Sequence, residues 1–157
     1  MPPLQAHPIT AEAFAPFGAL LCYPHQVGRE VLPPSLGNLR DYAQPDLAVA
    51  HITQTAQTPL TLKFMERHEF SSQTFMPLNG CRYLVIVAPH GELGHPDMSK
   101  AQAFVVHGQQ SITYHPNTWH YSLTLLQGPA SFAVWMWKAN DGGDEEFVDI
   151  TPIEVHF

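Results

Sequence analysis

The stretch ERHEFSSQTFMPLNG, residues 66–80, decides how this chain folds. Its spacing is E-x-H-x4-Q-x6-G, so that Glu66 and His68 stand two residues apart and Gln73 follows at a fixed interval. Residues at i and i+2 share one face of a β-strand, and a third polar residue on the next antiparallel strand can return to face them. The stretch therefore predicts two consecutive strands whose polar side chains meet at one point.

The segments around this stretch also carry the signals of short strands. Residues 60–68 alternate, which predicts a strand with Leu60, Leu62, Phe64, Glu66 and His68 on one face. Other segments of this kind are separated by Gly, Asn, Pro or Asp, and six or more at such spacing are typical of a sandwich or barrel. The further strand candidates are Leu47–Thr53, Thr74–Met76, Arg82–Ala88, Ala101–His107, Ser111–Tyr114, His120–Leu125, Ser131–Trp137 and Phe147–Ile153.

One helix is predicted near the beginning of the chain. In the segment Ile9–Gly18, Thr10 is a candidate N-cap, Glu12 lies near the positive end of the helix dipole, and Gly18 is a candidate stop. No internal repeat is visible, and 157 residues are enough for one ordinary hydrophobic core. We therefore expect residues 1–157 to form a single domain.

A second segment, Gly108–His120, would complete the polar cluster. His120 follows the turn around Pro116 and begins a predicted strand. The two segments resemble the first and second cupin motifs, commonly G-x5-H-x-H-x4-E-x6-G and G-x5-P-x-G-x2-H, although ligand types and the second spacing differ. Asn117 stands in place of the usual Gly, and Asn tolerates positive φ. The resemblance implies an all-β, cupin-like double-stranded β-helix barrel, or jelly roll.

The predicted site consists of Glu66, His68, Gln73 and His120. An isolated histidine facing a barrel interior is usually a hydrogen-bonded core residue, but four polar groups at cupin spacing favour catalysis. One carboxylate, one amide oxygen and two imidazoles also form a mixed N/O donor set for one divalent metal ion, which could be Mn, Ni, Fe, Co or Zn. The same four residues are therefore the candidate catalytic residues and the candidate metal ligands.

Five further residues are candidate substrate contacts. His115, Tyr114 and Trp119 lie next to His120 in the sequence, and Arg82 and Lys138 are cations that could bind a substrate carboxylate. For the aromatic residues, packing beside the turn is the alternative. The acidic turn at residues 140–146 and the remaining histidines are predicted to be solvated; these histidines are His7, His25, His51, His90, His95, His107 and His156.

Composition excludes several classes of protein. The net charge is −7, and the seven Lys and Arg residues form no basic stripe, which argues against nucleic-acid binding. No apolar run approaches the ~20 residues of a membrane-spanning helix. Cys22 and Cys81 have no CxxC spacing, so we expect both to be reduced and buried. Together with the absence of a recognisable leader, these features predict a soluble cytoplasmic protein.

Four segments are similar to the ureidoglycolate lyase family. The segments are Ile9–Gly18, Leu60–Pro77, Pro96–Gly108 and Tyr114–His120. The resemblance implies a homodimeric lyase of allantoin and purine catabolism, which splits (S)-ureidoglycolate into glyoxylate and urea and sometimes uses a divalent metal. Three departures are visible. Gly37–Tyr42 only approximates the family's Asn-Gly pair followed by Arg and an aromatic residue, and Glu69 stands where many members have Pro. Residues 137–140 stand where the family often has Arg-Gly-Gly, so that Lys138 would supply the cation.

Two versions of the chemistry and two rival functions stay open. With a metal, Glu66 or His115 would relay protons; without one, Glu66 would be the base and a histidine the acid. The first rival is another cupin enzyme, an isomerase or oxygenase that acts on a small organic acid. The second is a non-catalytic cupin that binds a small metabolite, which is suggested by Gln73 at a position where cupins usually have Glu.

Overall fold

The computed structural model describes residues 1–23, 27–32, 36–108 and 110–157, so the expectation for His25 lies outside the described residues. Its helix, α1, spans Ala11–Phe14, and two 3₁₀ turns span Glu92–Gly94 and Met98–Lys100. The strands are β1 (Leu4–Pro8), β2 (Gly18–Leu21), β3 (Gln44–Ile52), β4 (Leu60–Arg67), β5 (Gln73–Pro77), β6 (Cys81–Ala88), β7 (Gln102–Gly108), β8 (Ser111–Tyr114), β9 (Trp119–His120), β10 (Thr124–Gln127), β11 (Ala130–Lys138) and β12 (Glu146–His156).

Two sheets make up the fold. The first has the order β10-β6-β7-β1-β12-β4-β9, and β9 also pairs with β6, so this sheet closes on itself. In it, β1 runs parallel to β7 and β12, whereas the other pairings are antiparallel. The second sheet has the order β2-β8-β5-β11-β3 and is antiparallel throughout. This all-β barrel with a second sheet and one short helix confirms the predicted fold class.

The main core contains residues from both sheets. Val85 of β6 and Ile112 of β8 are both fully buried in it. Leu84 and Ile86 point to the opposite face of β6 and belong to another buried cluster. Because β6 is buried on both faces, its run Tyr83–Ala88 is apolar throughout instead of alternating.

The helix begins as the sequence predicts but is shorter. The Thr10 hydroxyl accepts a hydrogen bond from the Ala13 backbone N–H at 3.2 Å, which confirms the N-cap. Gly18, predicted as the end of the helix, instead opens β2, where a Cβ atom would lie 2.0 Å from the carbonyl oxygen of Thr113. Only glycine therefore allows β2 to approach β8 this closely.

Eight of the nine predicted strand segments coincide with observed strands. The exception is His120–Leu125, which is divided because β9 ends at His120 and β10 begins at Thr124. Two observed strands were not predicted. These are β1, which lies between β7 and β12 in the closed sheet, and β2 at the edge of the second sheet. Both are short and lack a sustained alternation of apolar and polar residues.

Strand β4 does not keep the uniform inward face that was predicted for residues 60–68. Its two fully buried residues, Leu62 and Met65, are three positions apart, and Leu62 packs in the cluster of Leu84 and Ile86. The pairing of β4 with β12 also shifts register on the β12 side. Such irregularities bend a strand and redirect its side chains, which is why strict alternation fails here.

The two cysteines differ in environment. Both are free thiols, and Cys81 is buried in the main core as predicted, but Cys22 is exposed, so the prediction of burial is wrong for it. Among the described residues there is no helix with the length and apolar character needed to cross a membrane.

Candidate functional site

Three of the four predicted site residues are positioned by neighbouring strands. Glu66 pairs with His120 across β4 and β9, and Gln73 pairs with Tyr114 across β5 and β8. Strand β9 has only two residues but is held from both sides, because His120 also pairs with Val87 of β6. His120 is thereby fixed at the point where the first sheet closes.

The imidazoles and the Glu66 carboxylate lie close together. The distance from His120 Nε2 to Glu66 Oε1 is 3.5 Å, and the ring centroids of His68 and His120 are 5.4 Å apart. The Tyr114 ring stacks on His120 with a centroid distance of 4.1 Å and an interplanar angle of 20°. Tyr114 is buried and packs against His120, which agrees with the predicted alternative that this aromatic residue has a packing role.

Both histidines are held in one tautomer by backbone carbonyl groups. His68 Nδ1 lies 2.8 Å from the carbonyl oxygen of Asp144, and His120 Nδ1 lies 2.8 Å from that of Thr118. Because a carbonyl oxygen only accepts, each Nδ1 carries the hydrogen and each Nε2 keeps a free lone pair. Among the described residues, neither Nε2 atom nor Gln73 Oε1 has a hydrogen-bond partner, although all three atoms are buried.

Burial keeps both imidazoles neutral. It lowers the pKa of His120 to about 3, and the neighbouring His68 contributes to the shift, while the hydrogen bond to Thr118 opposes it. The pKa of His68 is also lowered, mainly by burial, against the hydrogen bond to the Asp144 carbonyl. At neutral pH the site therefore presents two uncharged Nε2 acceptors.

Burial shifts the pKa of Glu66 in the opposite direction to the pKa of the two histidines. Burial raises the pKa of its carboxyl group to about 7, a hydrogen bond to Ser122 acts in the other direction, and the charge of Glu145 adds to the rise. A carboxyl group with a pKa near neutrality exchanges a proton readily in either direction. The arrangement thus provides one acid/base group beside two nitrogen acceptors.

A cleft lies between β3, β11 and the turn that follows β11. Of the four predicted site residues, His68 and Gln73 line it, whereas Glu66 and His120 are not among its lining residues. Its volume is about 390 Å³. Lys138 stands in its wall and forms an ion pair with Asp46, with 3.3 Å between Nζ and Oδ2. The cleft is lined by Asp46, Ala48, His68, Gln73, Val134, Met136, Lys138, Asn140, Asp144 and Glu145.

The ion pairs between Arg40 and the acidic turn were not predicted from the sequence. The Arg40 side chain is buried and forms ion pairs with Asp141 at 3.1 Å and with Asp144. The prediction that residues 140–146 form a solvated turn is therefore wrong for Asp144, which borders the cleft. The only available signal was Arg40 within the approximate family motif at 37–42, since about a hundred residues separate the ion-pair partners.

Three of the predicted substrate contacts lie away from the cleft. Arg82 is exposed near the start of β6, whereas β9 pairs with the last two residues of that strand. His115 is exposed and lines a separate cavity of about 320 Å³ together with His90. Trp119 is buried in another apolar cluster and donates its indole N–H to the Gly94 carbonyl at 2.8 Å. Of the five candidates, only Lys138 lines the cleft.

The donor set is chemically suited to a divalent metal ion, but it is not complete without an amide oxygen. Two free Nε2 atoms, each with Nδ1–H bound to a carbonyl group, match the usual orientation of histidine ligands. Within residues 1–23, 27–32, 36–108 and 110–157, no three His, Cys, Asp or Glu side chains converge closely enough to hold a metal by themselves. A metal bound here would therefore be held by no more than two of Glu66, His68 and His120, with Gln73 Oε1 as a further donor.

The sequence is similar to those of known proteins over most or nearly all of its length. The sequence matches the family model described as "Ureidoglycolate lyase" over residues 1–156. It is 34% identical to a protein of Pseudomonas aeruginosa (strain LESB58) over 83% of this chain and 81% of that one. It is 35% identical to a Burkholderia mallei protein (92% and 85%) and 32% identical to a Brucella anthropi protein (92% and 88%). All three relatives are named ureidoglycolate lyase.

Proposed function

This chain belongs to the ureidoglycolate lyase family, and on that premise we propose that it cleaves (S)-ureidoglycolate to glyoxylate and urea. The observation that carries the proposal is the pairing of Glu66, whose pKa is about 7, with two neutral imidazoles beside a cleft that contains a lysine. A cytoplasmic location and a role in allantoin degradation are part of the same proposal.

The cleavage breaks a C–N bond and forms a carbonyl group. The substrate hydroxyl loses its proton, its oxygen becomes the aldehyde oxygen of glyoxylate, and the departing nitrogen takes up a proton to give neutral urea. In the metal-free version Glu66 accepts the first proton and then donates it to nitrogen, so the reaction consumes no other acid. A histidine acid, the earlier expectation, is less suited because neither Nε2 carries a proton.

A divalent metal ion is compatible with the same residues. His68, His120 and Gln73 would hold it, and when bound it would polarise the substrate oxygen atoms and lower the pKa of the hydroxyl group. In that version the Nδ1–H groups of both histidines would keep them oriented toward the ion. Whether the protein uses a metal is decided by activity before and after chelation.

The direct test is product release from racemic ureidoglycolate. We expect urea and glyoxylate in equal amounts, with half of the substrate left unreacted, and no requirement for dioxygen. The assay is run on chelator-treated protein alone and after separate additions of Mn²⁺, Ni²⁺, Fe²⁺, Co²⁺ and Zn²⁺. Binding without turnover under all conditions would support the non-catalytic rival, and consumption of dioxygen would support the oxygenase.

Lys138 is proposed as the cation that binds the substrate carboxylate. The Lys138→Met variant is expected to raise KM by roughly 10- to 100-fold, the loss of one charge-assisted hydrogen bond, with kcat changed only a few-fold. Steady-state kinetics with ureidoglycolate measures both constants. Lys63→Met removes an exposed lysine of β4 and serves as the matched control. A loss confined to kcat would show that Lys138 does not act through binding.

We further propose that two copies associate through the outer face of the second sheet. Strand β3 is an edge strand, and its Leu47 and Val49 are 65% and 66% exposed. Leu47 pairs with Trp135 of β11, so that these side chains share one apolar surface. Such patches mark contact sites between proteins.

Sedimentation velocity tests this association. The parent protein is expected to sediment as a dimer and the Leu47→Glu/Val49→Glu variant as a monomer, because burying two carboxylates opposes association. Leu93→Glu, at a side chain 98% exposed outside this surface, is the matched control. A monomeric parent protein would contradict the proposal.

A further inference from the structure

The buried guanidinium of Arg40 is connected to His68 through a single residue, Asp144. We propose that Arg40 is a positioning residue, which acts through Asp144 to hold His68 in the tautomer that leaves Nε2 free. Arg40 does not line the cleft, and its guanidinium is bound by the carboxylates of Asp141 and Asp144. The kinetic consequence of this inference rests on the proposed lyase activity, whereas its structural consequence does not.

Arg40 is fixed by contacts on several sides. Its side chain is 7% exposed, its guanidinium lies 5.1 Å from the Phe70 ring centroid, and its backbone N–H donates to Asn38 Oδ1 at 3.1 Å. The Leu39 N–H donates to the Phe70 carbonyl at 2.8 Å. These contacts join the Arg40 segment to the chain that directly follows His68, so the guanidinium has a fixed position relative to that imidazole.

Asp144 uses its side chain and its backbone for different partners. The carboxylate accepts hydrogen bonds from the Arg40 guanidinium and, at 2.8 Å each, from the backbone N–H groups of Ala139 and Asn140. The carbonyl oxygen of the same residue accepts the Nδ1–H of His68 at 2.8 Å. The contacts of this carboxylate with Ala139 and Asn140 hold the turn, and a shift of the turn would move the carbonyl oxygen that selects the His68 tautomer.

The Arg40 charge is needed because the carboxylate is removed from water. The Asp144 side chain is only 16% exposed. Without the guanidinium, a largely buried carboxylate would lose its cation, and the turn would move toward solvent to hydrate it.

The tautomer of His68 decides whether its Nε2 atom can accept a hydrogen bond or bind a metal ion. A neutral imidazole has one N–H, and the hydrogen bond made by one nitrogen decides which nitrogen carries it. If the Asp144 carbonyl moves away, the Nε2–H tautomer becomes populated, and a hydrogen then occupies the position of the free Nε2 lone pair. His120 is independent of this connection, because its acceptor is the Thr118 carbonyl.

The experiment compares the full-length parent protein with Arg40→Met and Arg40→Lys. Long-range ¹H–¹⁵N correlation spectra of ¹⁵N-histidine-labelled protein report the tautomer of each ring directly. We expect His68 to change from Nδ1–H to a mixture with Nε2–H in Arg40→Met, while His120 stays Nδ1–H. Arg40→Lys is expected to be intermediate, since one ammonium group cannot reproduce the planar fork that binds both carboxylates.

Kinetics and a surface control complete the test. In Arg40→Met, kcat for ureidoglycolate should fall by roughly 10- to 100-fold, as for loss of other groups that orient histidines, with KM within about threefold. Lys100→Met breaks the exposed ion pair with Asp97 and should change neither readout. If Arg40→Met does not fold, Arg40→Lys and Asp144→Asn decide instead.

Two results would overturn the inference: a folded variant in which His68 keeps the Nδ1–H tautomer, or one in which both histidines change together. Because the spectra need no substrate, failure of the inference is distinguishable from failure of the proposed lyase activity.

Discussion

Replacing His68 or His120 by glutamine is expected to lower kcat/KM for ureidoglycolate by roughly 10²–10⁴-fold, the range for loss of a directly participating side chain. Both Nε2 atoms are buried, free of partners among the described residues and near the Glu66 carboxylate or the cleft. Glutamine retains polarity and some of the volume but has no imidazole nitrogen to act as acceptor or ligand. Initial rates of urea and glyoxylate release measure the effect.

Exposed histidines provide the control for this prediction. His107→Gln changes an exposed residue of β7 and is expected to leave the rates unchanged. Circular dichroism and thermal unfolding must show that the site variants are folded, because His120 is 1% exposed and supported by Tyr114. If folded His68→Gln and His120→Gln keep more than a fifth of the parental activity, the two imidazoles do not form the catalytic site.

The fold was largely predictable because its determinants are local. Alternation, turn residues and the apolar run of β6 identified most strands, and Thr10 identified the helix start. Asn117, expected to tolerate positive φ, has φ of 66°. What failed depends on distant parts of the chain: β1 is a strand because β7 and β12 enclose it, and the irregularity of β4 comes from its pairing with β12.

The site was predictable to the extent that strand spacing determines it. Glu66 and His120 pair directly, as expected for convergent strands, and His68 and Gln73 line the same cleft. Sequence proximity was misleading for Trp119, which points away from the cleft because consecutive residues of a strand face opposite sides. The ion pair between Arg40 and Asp144 could not be predicted, because no local pattern relates residues so far apart.

Glu66→Gln is expected to lower kcat/KM by roughly 10²–10⁴-fold, because the amide can neither accept the hydroxyl proton nor return it to nitrogen. In the parent protein, kcat/KM should rise with pH and level off above about 7, where the Glu66 carboxyl group is ionised. The variant should lose this dependence in its residual activity. A parent profile that is flat from pH 5 to 9 would exclude Glu66 as the base.

The same substitution should have the opposite effect on stability, measured on chelator-treated protein by urea unfolding. The pKa of Glu66 rises from 4.5 to about 7 on folding, so its contribution to stability is full below pH 4.5 and is lost as pH rises through 7. Glu66→Gln avoids this loss, so the free energy of unfolding of the variant should match that of the parent at pH 4.5 and exceed it by about 3 kcal/mol at pH 8.

His120, with its pKa lowered to about 3, makes stability fall as pH decreases below 6.5, but it does so in both proteins and cancels in their difference. A difference between the two proteins that does not grow from pH 4.5 to 8 would show that Glu66 ionises without penalty, and the proton-transfer role proposed for it would then lose its physical basis.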